Sequence, residues 1–279
     1  MQRGTFGAGS RRMSRVIVYS LLAVFGAIVV FPFIWMVLLS FKLQVEISRA
    51  NTFLPEVWTI RNYITVFTRV PVLNWFRNSV IVTVTATAII LFTSSLLGFV
   101  FAKFSFRLKG LMFWFVLATM MVPAQTTMIP SFLLITNLGL YDKLGALIIP
   151  GMIGGFGIFL CRQFIADIPD SLCEAALIDG AGPFYIYFRI IVPLIRPAIG
   201  ALTIFMFLQY WNDYMNPLLY INRPENMTMS LAISFFSNQR SSDAGATMAA
   251  ATLVMLPVTV VFLAFQKQFI KSVAIAGMK

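Results

Sequence analysis

The chain contains no histidine and only two cysteines, Cys161 and Cys173, among its 279 residues. The absence of histidine excludes Ser-His-Asp and Cys-His catalysis and every metal site that uses an imidazole ligand. Two cysteines do not make a disulfide framework, and we expect both to be reduced. The sequence also lacks the motif G-x-x-x-x-G-K-[ST], so this chain provides no loop of that kind for ATP phosphates. We therefore predict neither an enzyme nor a cofactor site in this chain.

Charged residues are also scarce, at 11% of the chain, and only 10 are acidic against 21 lysines and arginines. Hydrophobic residues make up 59%, and the mean hydropathy is +0.86. A water-soluble core cannot hide that much apolar surface, so we predict an integral membrane protein. A net charge of +11 would elsewhere suggest nucleic acid. Here the cations flank apolar runs, where they set topology, and no nucleic-acid partner is expected.

Long apolar runs, uncharged except for Asp213 in the fifth, predict an all-α membrane protein with six transmembrane helices. The runs cover residues 16–41, 78–102, 110–141, 144–161, 197–220 and 244–266. The first is longer than the apolar region of a signal peptide and has no cleavage site, so we expect an uncleaved helix bent near Pro32. The third exceeds one span and contains Pro123 and Pro130. We expect it to bend or break there, either as a packing kink or as a lining of the transport pathway.

The distribution of cations predicts the orientation of these helices. Most of the 21 lysines and arginines fall in an N-terminal arm (1–15), after the second run, in a polar loop (163–196) and in a tail (267–279). Positive residues favour the cytoplasmic side. We therefore predict one transmembrane domain over 16–266 in the inner or plasma membrane, with both termini in the cytoplasm.

The polar loop contains the most informative stretch, residues 174–193, which read EAALIDGAGPFYIYFRIIVP. Ser171 and Glu174 have the spacing of a capping box, which predicts the start of a short helix. The helix should run to about Asp179, where Gly180 can adopt the left-handed conformation that ends a helix. Pro183 suits the first turn of a second helix because its missing N–H would be unpaired there.

The spacing of Glu174-Ala175-Ala176, Gly180, Ile190 and Val192-Pro193 closely resembles the EAA motif of the membrane subunits of ABC importers. Val192 stands where that family usually has leucine. The resemblance implies the type I importer fold, with a coupling helix that docks on a separate ATP-hydrolysing subunit. The implied docking residues are Glu174, Ala175, Ala176, Asp179, Gly180, Ala181 and Pro193, with Ile190 and Val192 anchoring the second helix. Two alternatives are an amphipathic connector with a chance capping box and a catalytic pair drawn from the acids of this loop.

Other strings resemble the carbohydrate branch of these permeases, similar to the maltose-type second permease. They lie at residues 53–55, 62–63, 78–79 and 211–214. This resemblance implies half of a pathway for a sugar or sugar-like solute. Implied partners are a second, homologous permease as a heterodimer, two subunits that bind ATP and Mg, and an extracytoplasmic solute-binding protein. The alternatives are a permease for phosphate-like, amino-acid or metal substrates and a stand-alone secondary transporter, which would normally show ion-coupling acids and repeat symmetry.

Candidate pathway residues follow from the few polar groups near the apolar runs. Asp213 is the only acid expected near membrane depth, and such a group is a functional-site hypothesis by default. The candidates are Gln125, Thr126, Tyr210, Asn212, Asp213 and Tyr214. Alternatively, Tyr210, Trp211 and Tyr214 form an interfacial aromatic belt and Asp213 reaches the headgroup region. Gly151 and Gly155 have small-xxx-small spacing, which predicts close helix packing.

Overall fold

The computed structural model describes residues 8–49, 52–237 and 243–276, and within these ranges every regular element is helical. Residues 1–7 of the predicted arm, 277–279 of the tail and 238–242 of the last loop lie outside the described residues. The α-helices, in chain order, are α1 (Ala8–Ser40), α2 (Gln44–Arg49), α3 (Arg61–Arg69), α4 (Val72–Lys103), α5 (Lys109–Met121), α6 (Met128–Asn137), α7 (Gly145–Ile148), α8 (Gly155–Ala166), α9 (Asp170–Ile178), α10 (Pro183–Ile186), α11 (Val192–Leu194), α12 (Arg196–Trp211), α13 (Met215–Tyr220), α14 (Met229–Ser237) and α15 (Ala244–Ala276).

Six spans are obtained if each bent pair of helices counts as one. In the part of the chain that the structure describes, three single helices are long and apolar enough to cross a membrane: Met13–Ser40, Val72–Lys103 and Ala244–Ala264. Three pairs of consecutive helices are long and apolar enough when each pair is taken together. They are Lys109–Met121 with Ala124–Asn137, bent by 94°, Gly145–Gly151 with Gly155–Ala166, bent by 44°, and Pro183–Leu194 with Arg196–Trp211, bent by 78°. The number agrees with the six predicted runs.

Several predicted boundaries are wrong, and turn residues explain the largest differences. The fourth run is not one helix, because a 3₁₀ turn that contains Pro150 ends at Gly151 and α8 starts only after Gly154. The fifth run stops at Trp211 and restarts at Met215. The second span starts at Val72, six residues before the predicted one. The last span, Ala244–Ala264, agrees with the predicted 244–266, although α15 itself continues to Ala276.

The prolines of the first and third runs behave differently from one another. The third run breaks near Pro123, as predicted, but Pro130 lies inside α6. Pro32 lies inside α1, and the bend expected there stays a prediction.

The described residues form two compact units, and the first comprises Met1–Arg69 with Phe236–Leu253. In this unit, Asn62 binds two carbonyls at and just after the end of α1. Its buried amide nitrogen donates to the carbonyl oxygens of Ser40 (2.9 Å) and Lys42 (2.8 Å). The Lys42 ammonium donates to the carbonyl of Thr52 and lies 5.3 Å from the centroid of the Trp35 ring. Short helices in this loop were predicted, and α2 and α3 are found there.

The second unit comprises Val70–Phe235 with Val254–Lys279, and α4 packs closely against α8 within it. A Cβ atom at Gly98 would lie 2.7 Å from Cβ of Cys161 and 2.9 Å from the backbone nitrogen of Arg162. A Cβ atom at Gly157 would lie 2.2 Å from Oγ of Ser94. Glycine is thus required where the two backbones approach. Gly155 makes a similar approach to α5, which confirms close packing at that predicted position.

A polar network fixes the turn before α7 to the loop before α14, within the second unit. Asp142 has a positive φ of 59°. Its Oδ1 accepts from the backbone N–H groups of Asn222 (3.0 Å) and Arg223 (2.9 Å), and its Oδ2 accepts from the Arg223 guanidinium. Burial raises the pKa of the Asp142 carboxyl, but these hydrogen bonds together outweigh burial and hold the pKa well below its ordinary value of 3.8. The carboxylate is therefore ionised throughout the physiological range.

Replacing Asp142 by asparagine should destabilise the purified protein by about 2 kcal/mol, because the charge-assisted hydrogen bonds are lost. Asp142→Ala should cost about 1–2 kcal/mol more, since alanine tolerates the left-handed backbone less well. Because folding lowers the pKa, this stabilisation is complete above the ordinary value of 3.8 and declines only as the pH falls through the folded-state pKa. Thermal unfolding of each variant from pH 5 to pH 8 should show a constant loss. A loss that varies across this range, or equal stability of the two variants, would contradict the assignment.

Candidate functional site

The predicted EAA stretch begins within α9, and the capping box expected at the start of this helix is absent. The helix begins at Asp170, with Pro169 at the N-cap position and no side-chain cap. Ser171 therefore lies inside the first turn, where its hydroxyl is not at the capping position. Asp170 instead places a carboxylate at the positive end of the helix, which the helix dipole favours.

The end of α9 agrees with the prediction. Gly180 has a φ of +80°, and two hydrogen bonds form a Schellman motif: N–H of Gly180 to the carbonyl of Leu177 (3.0 Å) and N–H of Ala181 to that of Ala176 (2.9 Å). No atom lies within 4 Å of the Cβ position at Gly180. Glycine is favoured there by the backbone conformation alone.

The two faces of α9 differ in exposure. Cys173 and Ala176 are half-buried and pack on the core beneath the helix, and Ala181 does the same after the turn. Leu177, exposed by 55%, flanks this buried face, and Ile178, exposed by 86%, lies on the opposite side. Glu174, Ala175 and Asp179 are also exposed. Of the two alanines, Ala175 is thus available to a partner and Ala176 mainly supports the helix from below.

The chain returns from α9 to the membrane through α10 and a π turn. Pro183 occupies the first turn of α10, as predicted. The π turn Tyr187–Ile191 follows, and N–H of Val192 bonds to the carbonyl of Tyr187. The wider turn lies just before Pro193, whose ring would clash with the carbonyl four residues earlier in a regular helix. The side chains of Ile190 and Val192 pack on the core, so the predicted anchoring of this segment is confirmed.

A cavity of about 560 Å³ lies beside the turn at Gly180 and is lined by Asp179, Gly182, Tyr185 and Arg189 among others. Phe184, exposed by 69%, and Phe188, exposed by 53%, extend the apolar surface around it. Large exposed apolar side chains around a concave surface are typical of a protein interface. We call the exposed residues Glu174, Ala175, Leu177, Ile178, Asp179 and Phe184 the α9 surface.

A second polar site lies at the break between α12 and α13. A cavity of about 260 Å³ there is lined by Gln209, Tyr210, Asp213, Asn216 and Tyr220, with Gly151 opposite. A neighbouring cavity of about 670 Å³ shares Gly151, Gln209 and Tyr210 with the first. Carboxylate, amide and phenol groups thus converge on one space, which can hydrogen-bond a polar solute.

Asp213 also has a structural role at this break. Its Oδ1 accepts from the backbone N–H of Asn216 (3.2 Å) and its Oδ2 accepts from the Asn216 amide (2.7 Å). Both bonds stabilise the first turn of α13. The broken helix in turn brings Asp213 and Asn216 to the same cavity.

The six predicted pathway residues do not all meet. Tyr210 and Asp213 line the 260 Å³ cavity, and Tyr210 donates to the carbonyl of Gly151 (3.1 Å). Asn212 is exposed and Tyr214 is half-buried, and neither lines these two cavities. Gln125 and Thr126 are exposed in a 3₁₀ turn whose other residues, Ala124 and Thr127, line the larger cavity.

Sequence reasoning missed Gln209, Asn216 and Tyr220 as cavity residues. Gln209 and Asn216 are polar residues inside the predicted span 197–220, and this position alone makes them candidates for a functional role. The sequence predicts Tyr220 only as the last residue of that span. The hydrogen-bonded pair Lys103 and Asp170, 67 residues apart, was also missed.

Comparison with known proteins gives chain-long matches. The arabinooligosaccharides transport system permease protein AraQ of Bacillus subtilis is 32% identical over 253 residues, which are 89% of this chain and 90% of that protein. The lactose transport system permease protein LacG of Rhizobium radiobacter is 33% identical over 262 residues, 94% of this chain and 95% of that protein. The diacetylchitobiose uptake system permease protein NgcG of Streptomyces coelicolor is 31% identical, covering 96% of this chain and 90% of that protein.

The fold has also been seen before, in the crystal structure of a bacterial ABC transporter involved in the import of the acidic polysaccharide alginate. The TM-score is 0.84 at 22% identity, and the match covers 95% of this chain and 99% of that chain. Residues 94–275 match the family described as "Binding-protein-dependent transport system inner membrane component". This region includes α9, Gly180 and every lining residue of both cavities except Ile90. The resemblance of the EAA stretch is thus confirmed, and the chain belongs to the family of inner membrane permease components of binding-protein-dependent ABC importers.

Proposed function

We propose that this chain forms half of the pathway through which an ABC importer takes up a sugar or oligosaccharide. The observation that carries the proposal is the chain-long similarity to permeases named for arabinooligosaccharides, lactose and diacetylchitobiose. The polar cavity at the α12–α13 break supports it, because amide, carboxylate and aromatic groups suit the hydroxyls and apolar faces of sugars. The second half of the pathway comes from a different but homologous permease.

We further propose that the α9 surface docks on an ATP-hydrolysing subunit. The complex contains two such subunits, which bind ATP and Mg. Glu174 provides an electrostatic contact, Ala175 permits close approach, and the apolar side chains at 177 and 178 enter a groove on the partner. ATP-driven movement of α9 then shifts the spans between inward and outward access. This is possible because the ATPase subunits bind one of these two states of the permease more tightly than the other. Clustered cations near the end of α4 support a cytoplasmic location for α9 and for both termini. A solute-binding protein delivers the sugar on the opposite side.

Purification of the tagged chain from its native membrane in mild detergent, followed by mass spectrometry, tests the proposed assembly. We expect a second permease and an ATPase with a Walker A motif in stoichiometric amounts. The binding protein of the same system can then be screened with mono- and oligosaccharides. Recovery of the chain alone, where a control importer stays intact, would indicate a stand-alone transporter. A binding protein that selects phosphate or an amino acid would contradict the sugar assignment.

Replacing Gln209 or Asp213 by alanine is expected to lower transport by about tenfold, because each removes a hydrogen-bonding group worth about 1–1.5 kcal/mol from the cavity. Gln209→Ala is the cleaner variant, since Asp213 also stabilises the start of α13. Uptake of labelled sugar by cells measures the effect, and Gln125→Ala, an exposed residue outside both cavities, serves as the comparison. Normal transport and selectivity of the Asp213→Ala chain would remove Asp213 from the pathway.

A further inference from the structure

Helix α4 makes side-chain hydrogen bonds to another segment of the chain at each of its ends, and we call these two sets of contacts joints. It has 32 residues, Val72–Lys103, which correspond to about 48 Å at 1.5 Å per residue. The contacts of Gly98 and Gly157 hold it directly against α8. Where they are in contact, the two helices move together, because packed interiors have little free volume.

The first joint is at Lys103, the last residue of α4. Its side chain is only 7% exposed, and its ammonium donates to the carbonyl of Ile168 and, at 2.5 Å, to Oδ1 of Asp170. The hydrogen bond and the charge of Lys103 lower the pKa of the Asp170 carboxyl. Asp170 is the first residue of α9 and Ile168 lies two residues before it, so the two bonds fix the start of α9 to the end of α4.

The second joint is at the beginning of α4. The indole N–H of Trp75 donates to the carbonyl of Pro224 (2.6 Å), and the Asn78 amide donates to the carbonyls of Glu225 (2.7 Å) and Met227 (3.0 Å). Both side chains are buried. Helix α4 is therefore hydrogen-bonded to the loop 224–227 at one end and to the start of α9 at the other.

We propose that Lys103 is a positioning residue that transmits displacement of α9 to α4 and thereby to the loop 224–227. Apart from this joint, α9 rests on the core through the two half-buried side chains Cys173 and Ala176. Without the Lys103 joint, α9 can tilt with its partner and leave α4 behind. This inference rests on the proposed docking of α9 on an ATPase.

The test uses the complete importer complex in lipid nanodiscs, with a fluorophore on Leu73→Cys. Leu73 lies in the first turn of α4 and is 73% exposed. Cys173→Ser removes the half-buried native thiol, whereas Cys161 is fully buried and stays. The probe is MgATP with orthovanadate, which needs no knowledge of the transported sugar. Two quantities are measured: the change in emission at position 73 and the amount of ATPase subunit that copurifies.

Lys103→Met is expected to keep the ATPase in the complex but to reduce the emission change about tenfold, within the usual range of allosteric coupling. Lys103→Arg should restore most of the change because it retains the charge. Arg107→Met, the loss of an exposed cation four residues away, should have no effect.

Three results would overturn the proposal: a full emission change in Lys103→Met, loss of the ATPase together with the change, or no change in the wild-type complex. Failure of the ATPase to copurify with wild type would instead reject the proposed docking itself, and this inference with it. If Lys103→Met does not accumulate, Asp170→Asn replaces it, since Asp170 is 75% exposed at its side chain. A reduced change in that variant supports the joint, and a full change overturns it.

Discussion

A chain with valine in place of Gly180 is expected to insert normally but to bind the ATPase about tenfold more weakly and to lose most transport. A residue with a side chain pays about 1–2 kcal/mol for the left-handed backbone, and a β-branched residue pays more. The Schellman motif then opens, and α9 no longer ends where its exposed side chains match a partner. A tenfold loss of affinity corresponds to about 1.4 kcal/mol, so the cost of the left-handed backbone at position 180 is large enough to cause it. Copurification of the ATPase and uptake of labelled sugar measure the two effects.

Two other glycines serve as controls, which distinguish the effect of backbone strain itself from the effect of strain at position 180. Gly139 has a φ of +67° and ends α6 with the same pair of hydrogen bonds, so Gly139→Val imposes a similar strain away from α9. Gly182 lies near Gly180 with open space at its Cβ position and a φ of −75°. Gly182→Ala should therefore retain coupling. Equal loss of ATPase binding in the Gly139 variant, or normal transport by Gly180→Val, would reject the role given to Gly180.

Replacing Gly98 by leucine is expected to prevent accumulation of the protein in the membrane. Its Cβ atom alone would meet Cys161 Cβ at 2.7 Å and the backbone of Arg162 at 2.9 Å, and neither is the end of a flexible side chain. Overpacking of this kind costs about 1–3 kcal/mol for modest additions, and separation of two helices costs more. Total stabilities of only about 5–15 kcal/mol leave little reserve. Immunoblotting of membrane fractions measures the outcome.

Gly26 and Gly154 provide a graded comparison. Gly26 lies in α1 with no atom within 4 Å of its Cβ position, so Gly26→Leu should accumulate like wild type. At Gly154 the added atom meets the terminal Cδ1 of Ile90 at 2.8 Å, which a rotation can move. Gly154→Ala should thus be intermediate. A Gly98→Leu chain that accumulates normally would show that α4 and α8 separate at little cost.

The parts that sequence reasoning predicted are those with local causes. A positive φ at Gly180 follows from a glycine after a short helical segment, and the break near Pro123 follows from a missing N–H. Six spans follow from apolar length. The capping box failed although its spacing was correct, because the N-cap is Pro169, two residues before Ser171, and Ser171 therefore lies inside the first turn.

The parts that could not be predicted depend on residues far apart in the chain. Lys103 and Asp170 are 67 positions apart, and Asp142 and Arg223 are 81 positions apart. Each pair consists of ordinary surface residue types, and only the packing of several helices brings them together. The lining of the cavity by Gln209 and Asn216 also requires the break at 212–214, for which the sequence offered only an aspartate in an aromatic context.

The π turn Tyr187–Ile191 has a consequence for insertions and deletions in this loop. A π turn contains one residue more than the α-helical turn it replaces. A natural deletion within the turn would restore a regular α-helical turn, in which the ring of Pro193 clashes with the carbonyl four residues before it. The path from α9 back to α12 would then have to change. Among relatives, insertions and deletions should therefore occur before α9 or in the outer loops, and should be rare between Gly180 and Pro193.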